Sequence, residues 1–107
     1  MPIYNKLVRD KIPEIIKADG REPKTRILDE AEYQTELFKK LLEEVNEVVE
    51  AKDDNKELMK EIGDVLEVLN AITKTFSLDS NEILKLKSEC QQSRGAFDKK
   101  IFLESEE

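Results

Sequence analysis

Two short acidic motifs contain the residues of this chain that are best placed to do chemistry. The first is Glu43-Glu44-x-x-Glu47 and the second is Glu61-x-x-Asp64. If both segments are helical, residues three apart differ by roughly 60° around the helix axis, so each motif can turn two carboxylates to one side. Carboxylates that crowd together in a folded protein repel one another unless a cation neutralises them. The two motifs therefore point to a site for a hard metal ion.

The oxygen donors of these motifs suit magnesium, which takes carboxylate and water oxygens and can also hold phosphate oxygens. Held against a polyphosphate, such an ion offsets developing negative charge and lowers the pKa of a bound water that can attack phosphorus. The chain has no histidine and a single cysteine, Cys90. This composition excludes disulfide frameworks, imidazole or thiolate zinc sites, and histidine-dependent triads. Acid and base chemistry therefore falls to carboxylates and lysines.

The first motif alone is also compatible with an exposed helix surface, because Glu43 and Glu47 fall away from the apolar face of their segment. The second motif argues more strongly for a site. Glu61 and Asp64 lie at the margin of an apolar arc, where partial burial raises the cost of unpaired charge. Gly63 costs about 1 kcal/mol relative to alanine in a helix interior, which favours a close approach there by a ligand or by another helix.

Four helices are expected to position these motifs. Pro13 suits the first turn of a short helix that Asp19-Gly20 closes. A long helix follows, from an N-cap at Asp29 to about Ala51, with apolar residues at three- and four-residue spacing. This apolar face should form the seam against the next helix.

That next helix is expected over about residues 56–75, after a turn at 53–55 so short that the two long helices should be antiparallel neighbours. Its apolar arc is too wide for one neighbour to cover, so it should be the most buried element and should also form a subunit interface. A further helix over about residues 82–92 follows a cap at Asp79 or Ser80.

The expected fold is therefore all-α, an antiparallel helical bundle in a single domain of residues 1–107 that is completed by homo-oligomerisation. A minor two-stranded β element is also compatible with the pattern. It would pair residues 25–28 with the apolar tail at residues 96–103.

The net negative charge of the chain disfavours binding to two kinds of anionic partner, nucleic acid and anionic membranes. It has 18 basic and 25 acidic residues, a net charge of -7, which disfavours non-specific binding to nucleic acid or to an anionic membrane. No apolar run approaches the roughly 20 residues that span a bilayer, and the N-terminus lacks the apolar core of a signal peptide. We therefore expect a cytoplasmic protein that binds neither nucleic acid nor membrane.

The paired acidic motif resembles that of the all-α nucleoside triphosphate pyrophosphohydrolases, the MazG-like and phosphoribosyl-ATP pyrophosphohydrolase-like superfamily. Residues 4–13, Tyr-Asn-Lys-Leu-Val-Arg-Asp-Lys-Ile-Pro, and the ending from Lys87 through Arg94-Gly95-Ala96-Phe97 look like a small stand-alone branch of it. The resemblance implies a helical bundle completed by another subunit, as a dimer or tetramer. It also implies hydrolysis of a nucleoside triphosphate to a monophosphate and pyrophosphate with Mg²⁺, or with Mn²⁺ in its place, and removal of non-canonical nucleotides as a role.

The resemblance assigns roles to the acidic residues as well. It makes four residues the metal ligands, namely Glu44, Glu47, Glu61 and Asp64. Glu43, the remaining residue of the motif, would orient or deprotonate the attacking water.

Cations are needed as well, because a metal ion alone leaves much of a polyphosphate's charge unpaired. Lys6, Arg9 and Lys11 are candidates from the N-terminal segment, and the forked guanidinium of Arg9 suits phosphate. The resemblance adds Lys87 and Arg94 as comparable candidates. Each of these could equally be an ordinary surface cation, since the chain has 18 lysines and arginines.

Two other functions stay open. Phosphoribosyl-ATP pyrophosphohydrolase of histidine biosynthesis performs the same chemistry on a larger substrate, but it is not expected to begin with the run at residues 4–13. From a different class, the chain could be a helical interaction module whose acidic motifs bind a basic partner protein. The base and sugar of the substrate depend on pocket shape, which the order of residues does not reveal.

Overall fold

The computed structural model describes residues 2–107 as four helices joined by turns and extended segments. The helices are α1 (Ile12–Ala18), α2 (Glu30–Glu50), α3 (Asn55–Thr75) and α4 (Ser80–Arg94). The fold is therefore all-α, as expected. No strand forms anywhere in this part of the chain, so the minor two-stranded β element is absent. Within the same residues, no helix has both the length and the apolar character needed to cross a membrane.

Aspartate side chains cap the N-termini of three helices, which explains why these helices begin where the sequence predicts. Asp29, Asp54 and Asp79 each accept hydrogen bonds from backbone N–H groups in the first turn of α2, α3 and α4. These N–H groups have no partner within the helix, so the cap supplies one. At the other end, Gly95 follows α4 with a φ of 85°, a left-handed conformation that glycine adopts without steric cost.

The two long helices, α2 and α3, form an antiparallel hairpin that contains most of the buried residues. A short turn joins them, and at the opposite end the rings of Phe38 and Phe76 lie 5.8 Å apart between centroids. Leu37, Ala51 and Val68 are the buried apolar residues of the described chain, and Leu37 is only 2% exposed. The apolar core of the hairpin is therefore small.

The expectation that the α3 helix is the most buried element is wrong for the single chain. Four of its large apolar side chains are at least 42% exposed, namely Met59, Ile62, Leu66 and Leu69. A comparable row on α2 is at least 43% exposed and contains Phe38, Leu42, Val45 and Val49. We call these two rows the apolar stripes. One neighbouring helix covers only one side of an arc this wide, so the stripes stay uncovered.

The chain divides into two compact units, of which the first ends at Phe76 and the second is Ser77–Glu107. The second unit consists of α4 and the C-terminal tail. Its α4 helix has no buried residue, and the apolar side chains of the tail are largely exposed, with Phe97 at 97%. That residues 1–107 make a single domain therefore stays a prediction.

Gly63 does not mark a close approach within the described chain. A Cβ built on Gly63 would meet no atom within 4 Å, so no helix of residues 2–107 approaches closely there, and an approach by a ligand stays a prediction. The position is exposed on α3, within the second acidic motif.

We predict that Gly63→Ala raises the free energy of unfolding of the metal-free protein by about 0.5–1 kcal/mol, because alanine loses less backbone entropy in a helix. Urea denaturation followed by circular dichroism measures the change. Gly20→Ala is the matched control: its surroundings are equally open, but its φ of 81° strains any residue with a Cβ, so it should lose stability. A loss of stability in Gly63→Ala would show that another surface packs on this position.

Candidate metal centre

Three carboxylates meet on the seam between α2 and α3. Glu44 comes from α2, whereas Glu61 and Asp64 come from α3. Each offers one oxygen, and the three oxygens lie within 4.8 Å of one another. In an antiparallel hairpin, residues that are equally far from the turn lie opposite each other. Glu44 and Glu61 are about equally far from the turn, so their side chains come close together. We call these three residues the carboxylate cluster.

The carboxylate cluster is largely shielded from water. Glu61 is 5% exposed and Glu44 is 9% exposed, while the side chain of Asp64 is 22% exposed. Moving an ionised carboxylate out of water is costly unless the charge is paired and its oxygens accept hydrogen bonds. Among residues 2–107 no buried side-chain nitrogen or oxygen is left without a partner. The cluster is therefore a neutralised site rather than a wet acidic surface.

Two cations neutralise the α3 side of the cluster. Arg9 donates from Nη2 to Asp64 Oδ1 at 2.9 Å, although 55 residues separate the two in sequence. Lys60 donates from Nζ to Glu61 Oε1 at 3.1 Å and to Asp64 Oδ2 at 3.2 Å. Both oxygens of Asp64 therefore carry a charge-assisted hydrogen bond.

Two further cations neutralise the α2 side. Lys40 Nζ lies 3.3 Å from Glu44 Oε1 and also donates to Glu43 Oε1 at 3.3 Å. Lys6 Nζ reaches the same oxygen of Glu43 from the N-terminal segment at 3.5 Å. Glu43 therefore stands beside the cluster, joined to it through Lys40.

These contacts shift the pKa values of Asp64 and Lys60. Burial by itself would raise the pKa of Asp64, but the hydrogen bonds from Lys60 and Arg9 outweigh it and lower that pKa below its ordinary value. The hydrogen bonds to Glu61 and Asp64 raise the pKa of Lys60. A hydrogen bond with Glu61 also raises the pKa of Glu57, one turn earlier on α3. At neutral pH, Asp64 is therefore ionised and Lys60 is protonated.

The structure brings together three of the four predicted metal ligands. Glu47 is exposed and lies outside the group of residues whose oxygens converge. Residues three apart on a helix can share one face but still differ in direction by roughly 60°. The rotation of α2 about its own axis leaves Glu44 buried against α3 and Glu47 exposed. Glu43, predicted to act on the attacking water, is a close neighbour of the cluster.

The predicted phosphate-binding cations fall into two groups. Lys6 and Arg9 pair with carboxylates at the α2–α3 seam, and Lys11 lines the groove described below. Lys87 and Arg94 belong to the second unit, where they line a separate cavity of about 550 Å³.

Sequence reasoning missed Lys40 and Lys60, although a signal for both was present. Each precedes a carboxylate of the cluster by four residues, Glu44 in one case and Asp64 in the other. Residues four apart on a helix lie on one face, so the spacing predicts an ion pair as soon as the carboxylate is recognised as functional.

A groove of about 520 Å³ runs along the carboxylate cluster within the first unit. Residues 7–11 line it together with Glu44 and Asp64, and the buried Leu37 and Val68 also line it. This volume is within the range of small-molecule sites in proteins. Tyr33, Asn70 and Lys74 are among the other residues that line the groove.

The donor set fits a hard divalent cation. All three donors are carboxylate oxygens, which magnesium and manganese prefer, and no softer nitrogen or sulfur donor belongs to the group. Two oxygens on opposite sides of one magnesium ion are about 4.2 Å apart, so the spread of up to 4.8 Å needs only a small inward movement. Glu44, Glu61 and Asp64 could therefore hold such an ion.

Comparison with known proteins assigns the chain to a family. Residues 32–91 match the MazG nucleotide pyrophosphohydrolase domain, and this match covers more than half of the chain and both acidic motifs. The chain belongs to the MazG nucleotide pyrophosphohydrolase family. Nucleotide pyrophosphohydrolases are hydrolases that act on acid anhydrides, and MazG proteins typically use a divalent metal ion. The match confirms the superfamily resemblance and contains the whole carboxylate cluster, whereas residues 4–13 lie outside it.

One other protein is similar in sequence to part of this MazG chain. An uncharacterized protein of Mycolicibacterium smegmatis is 55% identical over 42 residues, which are 39% of this chain and 43% of that protein. The match thus spans less than half the length of that relative. No solved structure matches the chain.

We predict that the ionisation of Asp64 contributes to the stability of the metal-free protein. Since its folded-state pKa is below the ordinary value of 3.8, the contribution is present in full above about pH 4 and is lost as the pH falls through the folded-state pKa. Between about pH 5 and pH 2 the wild type should lose more free energy of unfolding than Asp64→Asn. Urea denaturation in EDTA at a series of pH values measures this.

Asp53→Asn is the control for that experiment, because it removes one carboxylate from an exposed position outside the cluster. The difference between the wild type and Asp64→Asn should be larger than any difference between the wild type and this control. Equal acid sensitivity in the wild type and Asp64→Asn would contradict the prediction.

Proposed function

We propose that this protein is a Mg²⁺-dependent nucleoside triphosphate pyrophosphohydrolase that cleaves between the α and β phosphates. The observation that carries the proposal is the carboxylate cluster, which lies within the part of the chain that matches the MazG domain. The products would be a nucleoside monophosphate and pyrophosphate. Residues 1–107 would act as one domain, and removal of non-canonical triphosphates in the cytoplasm is the role we expect.

Each acidic residue has a proposed part in this reaction. When bound, the divalent ion supplies charge neutralisation for the polyphosphate and a water of lowered pKa. Glu44, Glu61 and Asp64 hold it, and their positions on two packed helices keep the three oxygens close together. Glu47, one turn beyond Glu44, is the candidate for a fourth ligand on rotation of its side chain. Glu43 takes up the proton of the attacking water from beside the cluster.

The neighbouring cations and the groove complete the proposed site. Arg9 contacts Asp64 at the seam, and neutralisation of Asp64 by a bound metal ion would free the guanidinium to pair with phosphate oxygens. Lys6, which contacts Glu43 beside the cluster, is a second candidate for a phosphate contact. Leu37, Val68 and Tyr33 line the same groove as Glu44 and Asp64. Apolar and aromatic side chains suit a nucleoside better than a polyphosphate, so we place the nucleoside there and the phosphates at the cluster.

We also propose that the protein is a homo-oligomer, a dimer or a tetramer. The two apolar stripes support this, because soluble monomers rarely leave such rows of large apolar side chains in water. Each stripe repeats at three- or four-residue spacing, the pattern by which helices pack against helices. A second copy of the hairpin would present the same pattern and cover both.

For the activity, purified protein with Mg²⁺ should release pyrophosphate from nucleoside triphosphates. Glu61→Gln and Asp64→Asn should each lower kcat/KM by at least about 100-fold, because each removes a charged donor from the cluster. Glu50→Gln is the matched control, since it removes a carboxylate from an exposed position on α2. A panel of canonical and non-canonical triphosphates together with phosphoribosyl-ATP ranks the substrates.

Phosphorus NMR of the products checks which bond is cleaved. A nucleoside diphosphate with orthophosphate, in place of a monophosphate with pyrophosphate, would contradict the bond assignment. Preferred turnover of phosphoribosyl-ATP would instead identify the enzyme of histidine biosynthesis. Absence of both hydrolysis and magnesium binding would favour a helical interaction module.

For the assembly, combining Leu42→Glu with Leu66→Glu should convert the oligomer to smaller species, because it places a charge in the middle of each apolar stripe. Sedimentation equilibrium measures the mass. Thr35→Glu is the control for each single substitution, Leu42→Glu or Leu66→Glu, since it adds one negative charge at an exposed position of α2 outside the stripes. A wild-type protein that sediments as a monomer would contradict the proposal.

A further inference from the structure

Lys60 has an unusual place among the cations around the carboxylate cluster. In residues 2–107 it is the side chain whose ammonium group pairs with two residues of the cluster at once. Its Nζ lies 3.1 Å from Glu61 Oε1 and 3.2 Å from Asp64 Oδ2. Neither the family match nor the acidic motifs give this lysine a role.

We propose that Lys60 is a positioning residue, an internal counter-ion that holds Glu61 and Asp64 together in the metal-free protein and competes with the metal ion for their oxygens. This inference rests on the proposed function, because it takes both carboxylates as metal ligands. Lys60 thereby sets the metal affinity of the site without binding the metal.

Glu61 and Asp64 need a counter-ion to stay close together, because their carboxylates are near each other and poorly hydrated. Glu61 is 5% exposed, and one of its oxygens is within 4.8 Å of oxygens from Glu44 and Asp64. Negative charges at such distances repel one another more strongly when water is excluded. An ammonium group between Glu61 and Asp64 removes this repulsion and keeps the two side chains on the seam.

The Lys60 ammonium can also dissociate easily from the two carboxylates. Its side chain is 62% exposed, so the ammonium can leave the carboxylates for water at small cost. Lys40 differs, since its side chain is only 16% exposed and pairs with Glu43 and Glu44 on its own helix. Two cations that share the same oxygens repel each other, so binding of a divalent ion displaces Lys60.

Lys39 provides the matched comparison. Its side chain is 69% exposed and its Nζ lies 3.1 Å from Glu36 Oε2, so it too forms a pair with a helix neighbour at the surface. Glu36 is not part of the carboxylate cluster. Replacing Lys39 removes the same charge and an equivalent ion pair but leaves the cluster intact.

The test compares Lys60→Met with Lys39→Met in protein stripped of metal with a chelator. Calorimetric titration with MgCl₂ at about 0.1 M salt should show about three- to tenfold tighter binding for Lys60→Met than for the wild type. In EDTA the same variant should melt about 2–4 °C lower, because Glu61 and Asp64 have lost their shared partner. Its rise in melting temperature on adding Mg²⁺ should therefore exceed that of the wild type.

Lys39→Met should bind Mg²⁺ within about twofold of the wild type and should show the wild-type rise in melting temperature. Lys60→Arg keeps the charge and should stay close to the wild type in both measurements. If Lys60→Met does not fold in EDTA, Lys60→Gln replaces it in the same two measurements.

Magnesium affinity in Lys60→Met that is unchanged or weaker would overturn the inference. If the wild type binds Mg²⁺ and releases pyrophosphate in that case, the role of Lys60 fails alone and the proposed function stands. If the wild type neither binds Mg²⁺ nor releases pyrophosphate, both fail together.

Discussion

The packing of α2 against α3 requires a balance of charge along the seam between them. Glu44 and Glu61 are among the most buried residues of the described chain, although burial of a carboxylate is costly. The two helices can pack there because ammonium and guanidinium groups reach the carboxylates from α2, from α3 and from the N-terminal segment. The same carboxylates are the proposed metal ligands, so the site and the packing of the hairpin cannot be altered separately.

This balance also explains the position of the N-terminal segment. Residues 7–11 lie outside the part of the chain that matches the MazG domain, yet Arg9 joins them to Asp64 and all five residues line the groove. Apolar contacts contribute less, since the buried apolar residues are few and both apolar stripes remain exposed. The chain therefore combines a polar, neutralised seam with apolar outer faces, an arrangement that suits a helical hairpin completed by a second copy.

Much of the fold follows from local rules. Aspartate caps, apolar spacing and Gly95 act within a few residues, so the bounds of the helices agree with prediction to within about two residues. The burial of α3 and the β pairing of residues 25–28 with residues 96–103 depend on what lies against each segment. Both expectations failed, because local preference does not determine which partners a segment meets.

For the site, residue types and spacing were enough to predict the family, the helices that carry the acidic motifs, and the pairing of Glu61 with Asp64, since residues three apart can share a helix face. That Glu44 faces α3, whereas Glu47 does not, follows from the packing of the helices, because it depends on the rotation of α2 about its own axis. The tertiary structure also decided that Arg9, 55 residues away, neutralises Asp64. Contacts between distant residues depend on how helices pack, and spacing along the chain leaves that packing open.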